Sequence, residues 1–207
     1  MALWQTTRFR LDLTRPLVMG IVNNTPDSFS DGGHHHSVTA ALRHAEKLLK
    51  DGAHILDIGG ESTRPGSPAV PWEEEMRRVL PFVQAAVQFG VPISVDTYKA
   101  QVMQAVLDAG ADIINDVWAL RQSGAQSVVA NHPQCGVVLM HMHKTPQDMQ
   151  QTPMQGDAVA QVQNFLAQQT QALLALGVER KRIVWDYGIG FGKPVAQNFA
   201  LLAHQTA

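Results

Sequence analysis

The chain has 207 residues, 45% of them apolar and 16% charged, with a net charge of −2 at neutral pH. That length and composition fit one globular domain with a proper core, and they exclude a disordered chain or a basic field that would attract nucleic acid. The lone cysteine, Cys135, excludes an internal disulfide and suits a reducing compartment.

In chain order, the N-terminal MALWQTTRFRLDLTRP carries Arg8, Arg10 and Asp12 where a signal peptide would need an apolar stretch. No apolar run approaches the roughly 18 residues of a membrane span. A soluble, cytoplasmic protein without membrane or nucleic-acid partners is expected. The first strand is predicted at LVMGIV (17–22), and the polar stretch IVNNTPDSFSDGG that overlaps its end carries one large aromatic, Phe29. Pro26-Asp27 and Asp31-Gly32-Gly33 are ordinary turn formers. They account for the composition, but not for the length or for Phe29. Long loops of this kind are commonly functional, and the stretch reads as a flap over a flat ligand.

Val38, Leu42, Ala45 and Leu49 then share one helical face, and Gly52 follows as a C-cap. The second strand, HILDIG (54–59), runs into DIGGESTRPGS. There Gly59 and Gly60 allow close backbone approach, Ser62 and Thr63 supply hydroxyls, and Arg64 offers a charged fork suited to phosphate. An ion pair of Arg64 with Glu61 or Asp57 is the competing use, and spacing alone does not choose. Trp72, Met76, Val79, Leu80, Val83 and Val87 trace a helix ending at Gly90. VPISVD (91–96) is the third strand, Lys99 to Asp108 a short helix ending at Gly110, and ADIIND (111–116) the fourth strand. Ser123 to Ala130 is helical, GVVLMH (136–141) the fifth strand, and a longer helix begins near Asp157 and carries Val159, Val162, Leu166, Leu173 and Leu176 to Gly177. RIVWD (182–186) is the sixth strand.

Strand and helix alternating in this way describe an α/β parallel sheet, either a (β/α)₈ barrel or an open doubly wound sheet. A short polar residue closes each strand: Asn23, Asp57, Asp96, Asn115 with Asp116, His141 and Asp186. Carboxylates in a core are costly without partners, whereas strand ends aimed into a shared mouth are not. The pattern favours the barrel. Asp96, Asn115 and Asp186 together could read the edge of a flat heterocycle with adjacent N–H groups. GIGFGK is one residue short of a phosphate loop, with Pro194 in place of the hydroxyl, and it lacks the third glycine of a dinucleotide fingerprint. His34-His35-His36 and the His141/His143 pair have no matching Cys or carboxylate cluster and read as solvated rather than zinc-binding.

The segments MGIVNNTPDSFSDGG, DIGGESTRPG, SVDT, IINDV, LMHM and DYGIGFGK, in this order from about Pro16 onward, closely resemble the signature segments of the dihydropteroate synthase family. The resemblance implies a pterin-binding (β/α)₈ barrel that joins 6-hydroxymethyl-7,8-dihydropterin diphosphate to p-aminobenzoate, in folate synthesis, and that is a sulfonamide target. It implies that Asn23 coordinates Mg²⁺ and that Thr63 and Arg64 contact the diphosphate. Asp96, Asn115 and Asp186 then hydrogen-bond the pterin, with Met140 and Phe191 along its faces. Phe29 and Asp31 close over the site and help to hold p-aminobenzoate. A homodimer is implied for the full-length protein.

Asn24 and Tyr187 depart from the family, which usually has a small apolar residue and a proline there. Only six strands are counted before Ala207, and the family's later Ser-Arg-Lys-Ser loop and Arg-x-His have no counterpart. The expectation is a single domain over residues 1–207, incomplete at its C-terminus, with little condensation activity of its own. Two other readings compete. A methyltetrahydrofolate-dependent methyltransferase also holds pterin with Asp and Asn, but TPDSFSDGG and STRPG fit a diphosphate substrate better. A non-catalytic pterin-binding fragment rests on the missing segments.

Overall fold

The computed structural model describes residues 2–23, 33–63, 66–145, 148–149 and 151–205, the side chains of 33–37 excepted. An antiparallel hairpin of β1 (Leu3–Gln5) and β2 (Arg10–Asp12) opens the chain. Then come β3 (Met19–Asn23), α1 (Gly33–Lys50), β4 (Ile55–Gly59), α2 (Trp72–Ala86), β5 (Ile93–Asp96), α3 (Ala100–Asp108), β6 (Ile113–Asp116), α4 (Ala125–Asn131), β7 (Gly136–Met140), α5 (Ala158–Ala175), β8 (Ile183–Asp186) and α6 (Val195–Ala203).

Strands β3 to β8 form one parallel sheet in which each strand pairs with the next in sequence. Unbroken sequential order is that of a barrel wall, since a doubly wound sheet reverses its order at a switch point. Among the described residues the wall has six strands and is not closed.

Strand alternation divides the side chains between two faces. Outward go Val22, Leu56, Ile58, Ile93, Val95, Ile114, Val137 and Leu139, which pack with α2, α3 and α5 through Val79, Phe82, Met103, Val106, Val162 and Leu166. Both the strand runs and the helical stripes are apolar because they meet each other there. Inward, the lower layer is apolar: Ile55, Ile113 and Val138 gather on Trp4 of the hairpin, which is buried and donates through Nε1 to the Arg182 carbonyl at 2.9 Å. The hairpin thus covers the lower end of the inner face. The upper inner layer is polar, with Asn23, Gly59, Asp96 and Asn115 level with one another across four strands.

Helix boundaries follow the expected chemistry. Asp157 accepts from the backbone N–H groups of Val159 and Ala160, at 2.9 and 3.2 Å, and so caps α5. Gly52, Gly90, Gly110 and Gly177 all take positive φ after helical segments. The α2 stripe differs in detail. Phe82 and Glu75 are buried in it, and Trp72 is exposed. No helix among the described residues is long and apolar enough to cross a membrane.

Candidate functional site

The carboxyl ends of β5, β6 and β8 bring Asp96, Asn115 and Asp186 to one mouth, each half-buried. Asp186 is held by its own turn, where Oδ1 accepts from Gly188 N–H at 2.7 Å. Gly188 has to be glycine. Its φ is 62°, and a Cβ there would stand 1.9 Å from the carbonyl oxygen of His141. A cavity of about 370 Å³ runs along the inner face from Asn115 and Asp186 down to Trp4 and Met19, bounded at its side by Leu202 and Gln205; Asp96 is not part of its lining. Met140 and Phe191 belong to one apolar cluster above the wall, together with Val117, Met142, Met149 and Trp118. The side chains that were expected to read a flat ring and to cover its faces therefore meet at one end of the sheet.

The electrostatics of the mouth are those of crowded acids. Burial first, and then the charges of Asp57, Asp116, Glu75 and Glu61, hold the Asp96 carboxyl well above the usual range. Burial also raises Asp57, with Asp186 adding to the effect, while the nearby Ser94 hydroxyl and the Asn115 amide pull the other way. Groups so placed favour a ligand that brings N–H donors.

Two of the polar strand ends do not face the mouth. Asp116 follows the inward Asn115 and therefore points outward. Its carboxylate accepts from Trp118 N–H and Leu120 N–H, both at 2.7 Å, and holds a turn in which Ala119 and Leu120 take φ of 51° and 59°. Non-glycine residues rarely adopt that region, so Asp116 is committed to backbone support. Burial raises its pKa to about 7.

His141 likewise turns to the helix side, edge-on to Phe165 at 5.0 Å. Its Nδ1 is buried with no hydrogen-bond partner among the described residues, and burial followed by the charge of Lys193 lowers its pKa to about 3. The unfolded chain would protonate this ring near the ordinary value of about 6.5. Its contribution to stability is therefore present above that value and is lost as pH falls through the window down to about 3. In an NMR titration the His141 ring should stay neutral between about pH 5 and 8. A midpoint near 6.5 would show that the ring is solvated.

Lys193, the residue that makes GIGFGK look like a phosphate loop, is buried. Its Nζ donates to the carbonyls of Gly188, His141 and Phe191 at 2.8, 3.0 and 3.3 Å. Desolvation lowers its pKa to about 8. It ties the loop after β8 to the end of β7 and so supports Asp186 and Phe191 from beneath. Tyr187, a departure from the family, donates through its hydroxyl to the Gln205 carbonyl at 3.3 Å.

On the loop after β4, Thr63 is half-buried. Glu61, considered as a partner for Arg64, is engaged elsewhere. It accepts from Lys99 Nζ, from the Tyr98 hydroxyl at 2.9 Å and from Val70 N–H at 3.2 Å, and Lys99 also binds the buried Glu75. Of the two glycines, Gly60 is spent on packing, since a Cβ there would meet Val79 at 2.6 Å and Glu75 at 3.1 Å. Gly59 faces the mouth, where the Asn23 amide oxygen lies 3.4 Å from the position of a Cβ. Phe29, Asp31 and Arg64, with Asn24, lie outside the described residues, as do the side chains of His34, His35 and His36. Lys193 and the Lys99 network were not legible as site features, and Asp57 was legible as a strand end but not as the partner of Asn115, because these roles depend on partners distant in sequence.

Residues 19–207 match the family described as pterin binding enzyme. The chain is similar to the dihydropteroate synthase of Neisseria meningitidis serogroup B, with 47% identity over 205 residues, which is 97% of this chain and 72% of that protein. It is similar in structure to the Burkholderia cenocepacia dihydropteroate synthase complexed with 7,8-dihydropteroate. The TM-score is 0.88 and the identity 50%, over 98% of this chain and 69% of that one. A third similarity is to the Xanthomonas albilineans dihydropteroate synthase with 4-aminobenzoic acid, with a TM-score of 0.86 and 52% identity over 95% of this chain and 70% of that one.

Proposed function

The chain belongs to the pterin-binding enzymes and, among them, to the dihydropteroate synthase family, and from that premise we propose how its residues serve the reaction. The activity is that of a transferase in folate biosynthesis, which condenses 6-hydroxymethyl-7,8-dihydropterin diphosphate with p-aminobenzoate to give 7,8-dihydropteroate and diphosphate. The carbon–oxygen bond at the pterin methylene breaks, and its electron pair leaves with diphosphate. The amine nitrogen of p-aminobenzoate forms the new bond to that carbon and loses a proton.

Asp96, Asn115 and Asp186 hold the pterin edge, with Met140 and Phe191 against its faces. The convergence of three hydrogen-bonding strand ends, two of them on the 370 Å³ cavity and Asp96 level with Asn115, carries this reading. A carboxylate that accepts from adjacent N–H groups fixes the ring and leaves the methylene directed out of the mouth. Thr63 and Arg64 take the diphosphate, whose departure is eased where its charge is met by donors. Phe29 and Asp31 close over p-aminobenzoate.

Asn23 is our assignment for the protein ligand of Mg²⁺. A magnesium ion that travels with a diphosphate takes one or two protein oxygens and fills its remaining positions with phosphate and water. An exposed amide oxygen beside the bare Gly59 fits that need, and no cluster of three or more His, Cys, Asp or Glu among the described residues competes for the ion. When bound, the ion would neutralise charge on the leaving group.

The test is formation of dihydropteroate by the full-length protein from the two substrates. Product should appear with Mg²⁺ and fall about a hundredfold or more on chelation. Absence of product under both conditions would refute the assignment of activity. Equal turnover with and without the metal would remove magnesium from it.

A further inference from the structure

Asp57 stands on the inner face of β4, two positions before the strand ends at Gly59, level with Ile21 on one side and Ser94 on the other. It is only 5% exposed. Its Oδ2 accepts from Asn115 Nδ2 at 3.2 Å, and its Oδ1 makes no hydrogen bond among the described residues. Among the described residues no cationic side chain is paired with it. A carboxylate buried against one amide and the neighbouring Ser94 hydroxyl is a net cost to the fold, because desolvation exceeds what such neutral donors return. An apolar residue such as the level Ile21 would serve the wall better.

We propose that Asp57 is a positioning residue that sets which way round the Asn115 amide faces the mouth, and so makes that residue an acceptor for the pterin. As a carboxylate it offers only lone pairs. The amide above it must therefore turn its NH₂ down into the wall, which leaves its carbonyl oxygen for the mouth beside Asp96 and Asp186. Without an acceptor beneath, the amide is free to present its NH₂ upward, where a ligand N–H would meet a donor instead of an acceptor. Asp57 lies two positions below the strand end and is almost wholly buried, and its hydrogen bond runs to Asn115. The inference rests on the pterin reading of Asn115.

Calorimetric affinity for 7,8-dihydropteroate, measured on the full-length protein, tests it. Asp57→Val and the smaller Asp57→Ala, which cannot overpack, should each weaken binding about tenfold, as one hydrogen bond in the site changes from matched to mismatched. Asp57→Val should also leave the melting temperature unchanged or raised, since it removes a buried charge. In an Asn115→Ala background neither change should weaken binding further. Unchanged affinity in both single variants overturns the proposal. So does a loss of melting temperature with affinity intact, which is a structural role, and so does a full tenfold loss that persists without Asn115, which is direct contact. If Asn115→Ala itself binds as the unmodified protein does, the pterin reading of that residue fails, and the inference fails with it.

Discussion

Asp112→Ala should destabilise the protein by about 3–5 kcal/mol, the usual cost of removing one partner from a buried charge pair. Asp112 is fully buried, and both of its oxygens are engaged. Oδ1 accepts from the backbone N–H and Nε of Arg8, each at 3.0 Å. Oδ2 accepts from the Arg8 guanidinium at 2.6 Å and from Ile93 N–H at 2.9 Å. One carboxylate thus binds the turn of the N-terminal hairpin to β5 and β6. Its loss leaves the Ile93 N–H without its acceptor and releases the hairpin that carries Trp4. For a chain of this length, a change of that size lowers the melting temperature by roughly 10 °C. Chemical denaturation of Asp112→Ala, Arg8→Ala and the double variant is the check. The double variant should cost much less than the sum of the two, because the pair acts as a unit. A loss below about 1 kcal/mol in the single Asp112 variant would mean that the pair behaves as a solvated surface contact.

Asp186→Asn should weaken pterin binding about 10- to 100-fold while leaving the fold intact. The side chain accepts through Oδ1 from Gly188 N–H at 2.7 Å. Asparagine keeps an oxygen for that bond, so the turn that requires Gly188 survives. The second oxygen, however, becomes an NH₂ group. It would then face the pterin N–H groups, donor against donor, at a cost of about 1–3 kcal/mol for the unsatisfied pair. Affinity for 7,8-dihydropteroate and melting temperature, read together on the full-length protein, decide the matter. Unchanged affinity would take Asp186 out of the site. A large fall in melting temperature would mean that the cap, and not the ligand, is its main partner.

Much of this was legible in the chain. The six apolar runs and the stripes of α1, α2 and α5 correspond to strands and helices because the same face-to-face packing that makes them apolar also sets their period. Asp157 marked the start of α5 because a cap acts within three residues of itself. The hairpin β1–β2 and helix α6 were not legible. Strands of three residues are too short to show alternation, and the charges at Arg8, Arg10 and Asp12 spoke only against a signal peptide. α6 leaves Val195 and Phe199 exposed, so burial sets no clear period there.

By itself the sequence determined the family, the order of the elements and which polar groups close the strands, because these depend on local pattern and on motifs written in consecutive residues. Only the tertiary structure decided which of those groups face one another. Asn115 and Asp116 are neighbours in the chain, yet alternation sends the first inward onto Asp57 and the second outward onto the backbone of Trp118 and Leu120. Lys193 closes a stretch that is one residue short of a phosphate loop, and its partners, three carbonyls of which one is 52 residues away, are set only by the fold. A side chain's role follows from the partner that compensates its desolvation, and across a parallel sheet that partner is supplied by another strand whose position only the folded register sets.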